Sequence, residues 1–518
     1  MNACRPSRYL SFLFSSSVSL GVYLWFSFSA SGQDQIKVFT RPKLPPRDML
    51  ERMNLTVAWH ARVTVDGQRD GIASVQLIPG KQNQLVVQTY KDAVFLYDAD
   101  HGDLIWRATT IGVPYWSLQP AAWNSQCIMV SRRNILHVLN RANGSQRVYH
   151  FEPPLRDPIF GFTLQFAPSA TLVADEDFVY VVMANRLHAV YIPDFEGLER
   201  AKRAAEEFEK KMKDGKKEPM PEQKKKEPVA PEDTPRGDND SPQPFVYWAY
   251  KLADATTDAP PIFSEEQISV ISSTGSLISM NRFDAGPRRE NFEFQVKGNT
   301  PGGAAQHNAT AYFGASDFNV YAVNMRNGVL LWRHIAGAPV LQRPLVNDRD
   351  VFVTPERTGL RKLERQNGRE VWTNRDAERF LATNEHFVYA LNKLGKLYVL
   401  DAKRGTSLAA YDANEWTISV QNEFTDRIYL AANDGQILCL RHRDLTKPLV
   451  MKVTDEYRRE EKKDKKEEKK DEEKKEEKKE EKASIAFDTS PFAMAMIRRS
   501  GPMRPRISRG EFPAWALR

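Results

Sequence analysis

The sequence predicts an all-β protein: an eight-bladed β-propeller of four-stranded antiparallel blades, closed by an N-terminal strand. Three observations lead there. A turn phrase built on glycine and tryptophan recurs, as in 98–106 (DADHGDLIW), 324–332 (NMRNGVLLW) and 364–372 (ERQNGREVW). Alternating or β-branched runs such as AVFLYD, NVYAVN and KLYVLD stand just upstream of the turns, which is the pattern of half-buried strands. A further strand-like stretch at 55–65, LTVAWHARVTV, carries Trp59 and has no strands of its own before it.

The N-terminal end comes first. Arg5 and Arg8 precede an apolar, Ser-rich run that ends in Ala30, Ser31 and Gly32. A basic start, an apolar middle and a small-residue end describe a secretory signal peptide over 1–32. An uncleaved membrane anchor is the alternative, since the run is just long enough to span. Either way the protein is exported, to the periplasm or in association with the cell envelope. Residues 33–54 are a lead-in.

The repeats fill 55–445. Aligned on glycine, the copies are Asp98, Gly102, Trp106; Asn324, Gly328, Trp332; and Glu364, Gly368, Trp372, with weaker copies at Asn140, Gly144, Val148 and at Asp401, Gly405, Ala409. Glycine takes the positive φ that other residues resist, and the polar residue can accept hydrogen bonds from turn amides. Trp248 looks like the same element in the third unit. Adjacent copies lie about 40 residues apart, the length of a four-stranded blade. Eight units centre near 85–108, 126–150, 172–251, 267–297, 310–334, 350–373, 387–411 and 427–443. The last lacks an outer strand, and 55–65 supplies it, removing an exposed edge. Small twisted sheets of this kind bury their faces by stacking around an axis.

Two stretches fall outside the repeats. Residues 196–243 interrupt the third blade: first a stripe of Leu198, Ala201, Ala205, Phe208 and Met212 at helical spacing, then a Pro- and charge-rich part of disordered composition. This insertion reads as a tolerated surface excursion or as a partner-docking arm. At 455–482 a Glu/Lys-rich, low-complexity spacer, helical or disordered, has no apolar face. The tail 483–518 mixes Phe, Met and Trp with arginines and prolines, and is read either as a contact for an anionic surface or as an unconstrained terminus.

Composition narrows the function. Hydrophobic residues make up 41% of the chain and aromatics 10%, enough for a sizeable core. The formal charge of +7 owes much to tail arginines, so the body is near neutral and nucleic acid is not an expected partner. Cys4 precedes the apolar run, and Cys127 and Cys439 sit in apolar runs as buried free thiols. No CxxC, HExxH or GxSxG is present, and the Gly-rich 299–308 reads as a loop between blades. The expected catalytic, cofactor-binding and metal residues are therefore none, and no cofactor is expected.

The DADHGDLIW, NMRNGVLLW, ERQNGREVW and DAKRGTSLA copies resemble the blade signature of the pyrroloquinoline-quinone (PQQ)-like β-propeller family, an Asp-Ala-x-x-Gly core followed by Trp. The resemblance covers 55–445. It implies that Trp106, Trp332 and Trp372 pack between neighbouring blades. The family holds quinoprotein dehydrogenases, many with an adjacent-cysteine disulfide that is lacking here. It also holds scaffolds, and this chain is similar in type to the propeller subunit of the bacterial outer-membrane β-barrel assembly machine, although it has no lipobox Cys after the signal segment. The resemblance thus implies a non-enzymatic binding propeller with protein partners in the envelope, as a monomer or a subunit of a larger complex. The alternatives are a PQQ-dependent dehydrogenase and a small-ligand sensor. An enzyme would show acidic and amide side chains converging on the mouth of the central channel.

Overall fold

The computed structural model describes residues 41–454 with the exception of 66–69, 111–118, 133–134, 151–167, 184–185, 192–244, 253–258, 265 and 284–289. The signal segment, the 196–243 insertion, the spacer and the tail lie outside the described residues.

Eight four-stranded antiparallel sheets follow one another along the chain. Blades 1 to 7 occupy 72–109, 122–150, 173–251, 262–295, 304–335, 345–374 and 379–412. Blade 8 takes three strands from 418–442 and its outer strand, Leu55–Arg62, from the N-terminal end. That strand pairs antiparallel with Gln436–His442, from Leu55 opposite His442 to Arg62 opposite Gln436. The ring is closed as the sequence predicts. A short helix, Arg47–Arg52, leads into it.

Each blade gains a first strand that periodicity does not reveal. Several are two residues long, such as Ala122–Trp123 and Val173–Ala174. First strands touch one another between blades 2 and 3, 4 and 5, 5 and 6, and 8 and 1, so they are the innermost. Antiparallel order then sets the connections: those between first and second strands and between third and fourth share one face of the ring. The other connections share the opposite face.

The core lies between blades. Eight buried clusters each span two neighbours, one of them joining Trp59 and Tyr429 of blade 8 to Phe95 and Tyr97 of blade 1. The tryptophans sit in this frame. Trp106 of blade 1 donates its Nε1–H to the Arg141 carbonyl of blade 2 at 2.9 Å, and Trp332 of blade 5 to Arg365 of blade 6 at 2.9 Å. Trp372, Trp248 and Trp59 repeat the move on Ala402, Arg282 and Ala99. Each ring reaches the turn of the next blade. Asp98, Asn140, Asn324 and Asp401 accept turn amides through Oδ1, whereas Glu364 instead holds the side chains of Asn367 and Arg369.

A one-residue bulge precedes the tryptophan in the outer strand. Leu96 pairs with Trp106 but Tyr97 with Leu104, so Ile105 is left out of register. The same shift recurs beside Trp59, Trp248, Phe292, Trp332, Trp372 and Ala409. A bulge bends the strand and re-aims its side chains. Where blade 7 has Ala409 instead of Trp, Leu50 and Met53 from the lead-in join the same cluster.

Candidate functional site

The site grows out of a second repeat that the turn phrase overshadows. Between the first and second strands an Asn or Asp folds back on its own loop: Asn124, Asp175, Asn347, Asn384 and Asn422 each accept two amides, two and three residues on. Such Asx turns fix the next side chain. After Asn347 comes Asp348, and after Asn422 comes Glu423. The signal was readable as the dipeptides ND at 347 and NE at 384 and 422, and it was missed in the sequence reading.

Glu423 is buried, at 5% side-chain exposure. It lies at the inner end of blade 8 and reaches blade 6. Oε2 accepts the Val346 amide at 2.9 Å, from the innermost strand Leu345–Val346. Oε1 accepts Arg343 Nη2 at 3.2 Å and Lys452 Nζ at 2.9 Å. Burial would raise the Glu423 pKa, but Lys452, Arg343 and the Val346 amide outweigh it and hold it down at about 2. Beside it, His307 of blade 5 bonds Asp348 Oδ1 through Nε2 at 2.7 Å. Burial drives the His307 pKa down, and Asp348 opposes that only in part. Asp426, fully buried, pairs with Arg427 at 3.1 Å.

Acidic side chains therefore do gather at the channel mouth, while the Asn side chains beside them are spent on their own turns. Each carboxylate there has a partner: Glu423 two cations, Asp426 one, Asp348 a histidine. A buried carboxylate matched in this way is suited to holding a cation or an N–H donor, and a free general base would need an unmatched one. Among the described residues, no group of three or more His, Cys, Asp or Glu side chains is placed to hold a metal ion.

The residues weighed in the sequence fall elsewhere. Trp106, Trp332 and Trp372 are 6–8% exposed and lie between blades. Asp98 and Asp401 stay in their turns. Gly303 has φ +74° and packs on Ala259, while a Cβ on Gly302 would meet the Gln342–Arg343 backbone; the loop expected over 299–308 ends there, because Ala304–His307 is the first strand of blade 5. Cys127 and Cys439 are both buried within strands.

A second feature lies on the outer rim. The bulged residues Ile105, Leu331, Val371 and Leu408 are large, apolar and exposed. Blade 5 adds Val329, Leu330, Phe318 and Ile335, the last 68% exposed. Scattered surface apolar residues are ordinary, but a contiguous set on one outer strand is characteristic of a contact surface.

These features define an eight-bladed propeller of the PQQ-like type. A family model described as outer membrane protein assembly factor BamB matches residues 264–428. Among solved structures, BamB from Moraxella catarrhalis is similar at a TM-score of 0.51 and 11% identity, over 75% of this chain and 98% of that one; at that identity the likeness is one of fold. The computationally designed Ika8 protein matches at a TM-score of 0.48 and 13% identity over 73% and 98%, and the C-terminal WD40 domain of Sif2 at 0.47 and 10% over 75% and 98%. No curated protein sequence matches the chain. Among the described residues no helix is long and apolar enough to cross a membrane.

Proposed function

We propose that the chain is an exported, non-enzymatic binding propeller of the cell envelope, a scaffold in outer-membrane protein assembly. The observation that carries this reading is the match of residues 264–428, blades 4 to 7 and the start of blade 8, to the BamB description. Two features of the site support it. The buried carboxylates Glu423 and Asp426 are neutralised by the chain's own cations, and the rim of blade 5 offers apolar side chains to a protein partner. The arginines of 483–518 supply a contact for an anionic envelope surface. A quinoprotein dehydrogenase is the competing reading.

Two measurements test the proposal. A photo-crosslinking residue at Leu331 or Ile335, in intact envelopes, should trap a discrete protein partner, while one at Leu394, exposed on blade 7, should not. Titration of the purified protein with PQQ and Ca²⁺ should leave the melting temperature and the quinone absorbance unchanged. Tight, calcium-dependent PQQ binding would overturn the scaffold reading in favour of the dehydrogenase.

A further inference from the structure

The chain does not leave the propeller at His442. Residues 446–453 run back over the channel mouth. Arg427 Nη2 donates to the Thr446 carbonyl at 2.8 Å, and the Leu449 amide donates to Asp426 Oδ1 at 2.9 Å. Val450 forms an antiparallel bridge with Thr425. The Met451 amide donates to the Phe424 carbonyl at 2.7 Å, and the Asp348 amide donates to the Met451 carbonyl at 3.0 Å. The Val453 amide reaches Asp348 Oδ1 at 3.4 Å. Between these backbone contacts Lys452 turns inward, at 11% side-chain exposure, onto Glu423 and above the Phe424 ring at 5.3 Å.

This is the anatomy of peptide recognition by strand addition. Main-chain bonds hold an extended segment whatever its sequence, and one pocket reads one side chain. Pro448 favours an extended approach by restricting Lys447 before it. The pocket is chemically selective, because buried Glu423 keeps beside Arg343 a second place that a cation on a long stem fills. The five residues Leu449–Val453 make no sheet of their own; their order comes from the loops of blades 6 and 8.

We propose that the channel mouth is a peptide-binding site for an extended segment with a lysine between apolar residues, and that the chain fills it with its own Leu449–Val453. The site stands on geometry at the mouth and does not depend on the envelope reading.

The test uses the full chain and a fluorescein-labelled synthetic peptide of residues 446–454. In the unaltered protein the 449–453 amides should exchange slowly and the peptide should not bind, because the site is taken. Lys452→Met should speed exchange of those amides by about a hundredfold and leave the site open to the added peptide. A peptide carrying the same Lys→Met change should bind at least about tenfold more weakly. Glu423→Gln should abolish the preference between the two peptides. Should Lys452→Met lose its cooperative melt, Met451→Gly loosens the segment with every charge still paired, and the same peptide binding is expected of it. Unchanged exchange in a cooperatively melting variant, or an opened segment with no peptide binding, would overturn the proposal.

Discussion

Gly102, Gly144 and Gly328 each lie against an aromatic ring from the blade before. A Cβ on Gly102 would come within 2.5 Å of the Trp59 ring, one on Gly144 within 2.8 Å of Trp106, and one on Gly328 within 2.7 Å of Phe292. The positive φ of these glycines is legible in a single turn phrase. The ring contact is not, because its two partners belong to different repeats. Gly337 separates the two demands: its φ is +69° and nothing lies within 4 Å of a Cβ there. Gly337→Ala should therefore cost only the backbone penalty, about 1 kcal/mol. Gly102→Ala should cost about 3 kcal/mol, since the Trp59 ring must also give way. Denaturant unfolding of the two variants checks this, and equal losses would refute the ring-contact account. Phe292 escaped the sequence reading because it stands in for tryptophan, and Glu423 because its importance comes from Val346 and Lys452, neither of them near it in sequence.

Strands of five or six residues with β-branched patterning were readable. The two-residue inner strands were not, since two residues carry no period. The outer strands misled periodicity in another way: the bulge puts an apolar residue beside the tryptophan, as in LIW, LLW and EVW, and turns it to solvent. The borrowed strand Leu55–Arg62 was legible because it carries a tryptophan without a blade. Its removal can be tested directly. Deleting 52–66 uncovers the edge of Gln436–His442 and strips Trp59 from the cluster it shares with Tyr429 and Phe95. Burial of one such tryptophan alone is worth about 3–5 kcal/mol. The deletion should abolish the cooperative thermal transition followed by circular dichroism, and an unchanged melt would contradict the closure. The 446–453 segment had no sequence signal, because it holds place by main-chain bonds and one lysine in a lysine-rich stretch.

Taken together, the blades share a response to acid. Burial lowers the pKa of His188, His307, His334 and His442 in the folded protein. Unfolded, they titrate near 6.5. Through that window the unfolded chain binds more protons, so stability is full above pH 6.5 and falls as pH drops below it. A second loss follows between about 4.5 and 2, where the depressed Glu423 carboxylate takes its proton. Melting temperature measured from pH 8 to 3 should show both declines, and His307→Gln should make the first one shallower. A melting temperature that rises between pH 7 and 5 would contradict the assignment of these histidines as buried and neutral. The closure has a different consequence, in time. Among the described residues, strand Leu55–Arg62 is the first to be synthesised, and its partner Gln436–His442 is the last. Until the final blade emerges, the first strand must wait without its mate, with Leu55 and Trp59 uncovered. A nascent chain of this design is therefore open to capture or aggregation for nearly the whole of its synthesis, and the step that completes the ring is also the one that ends that exposure.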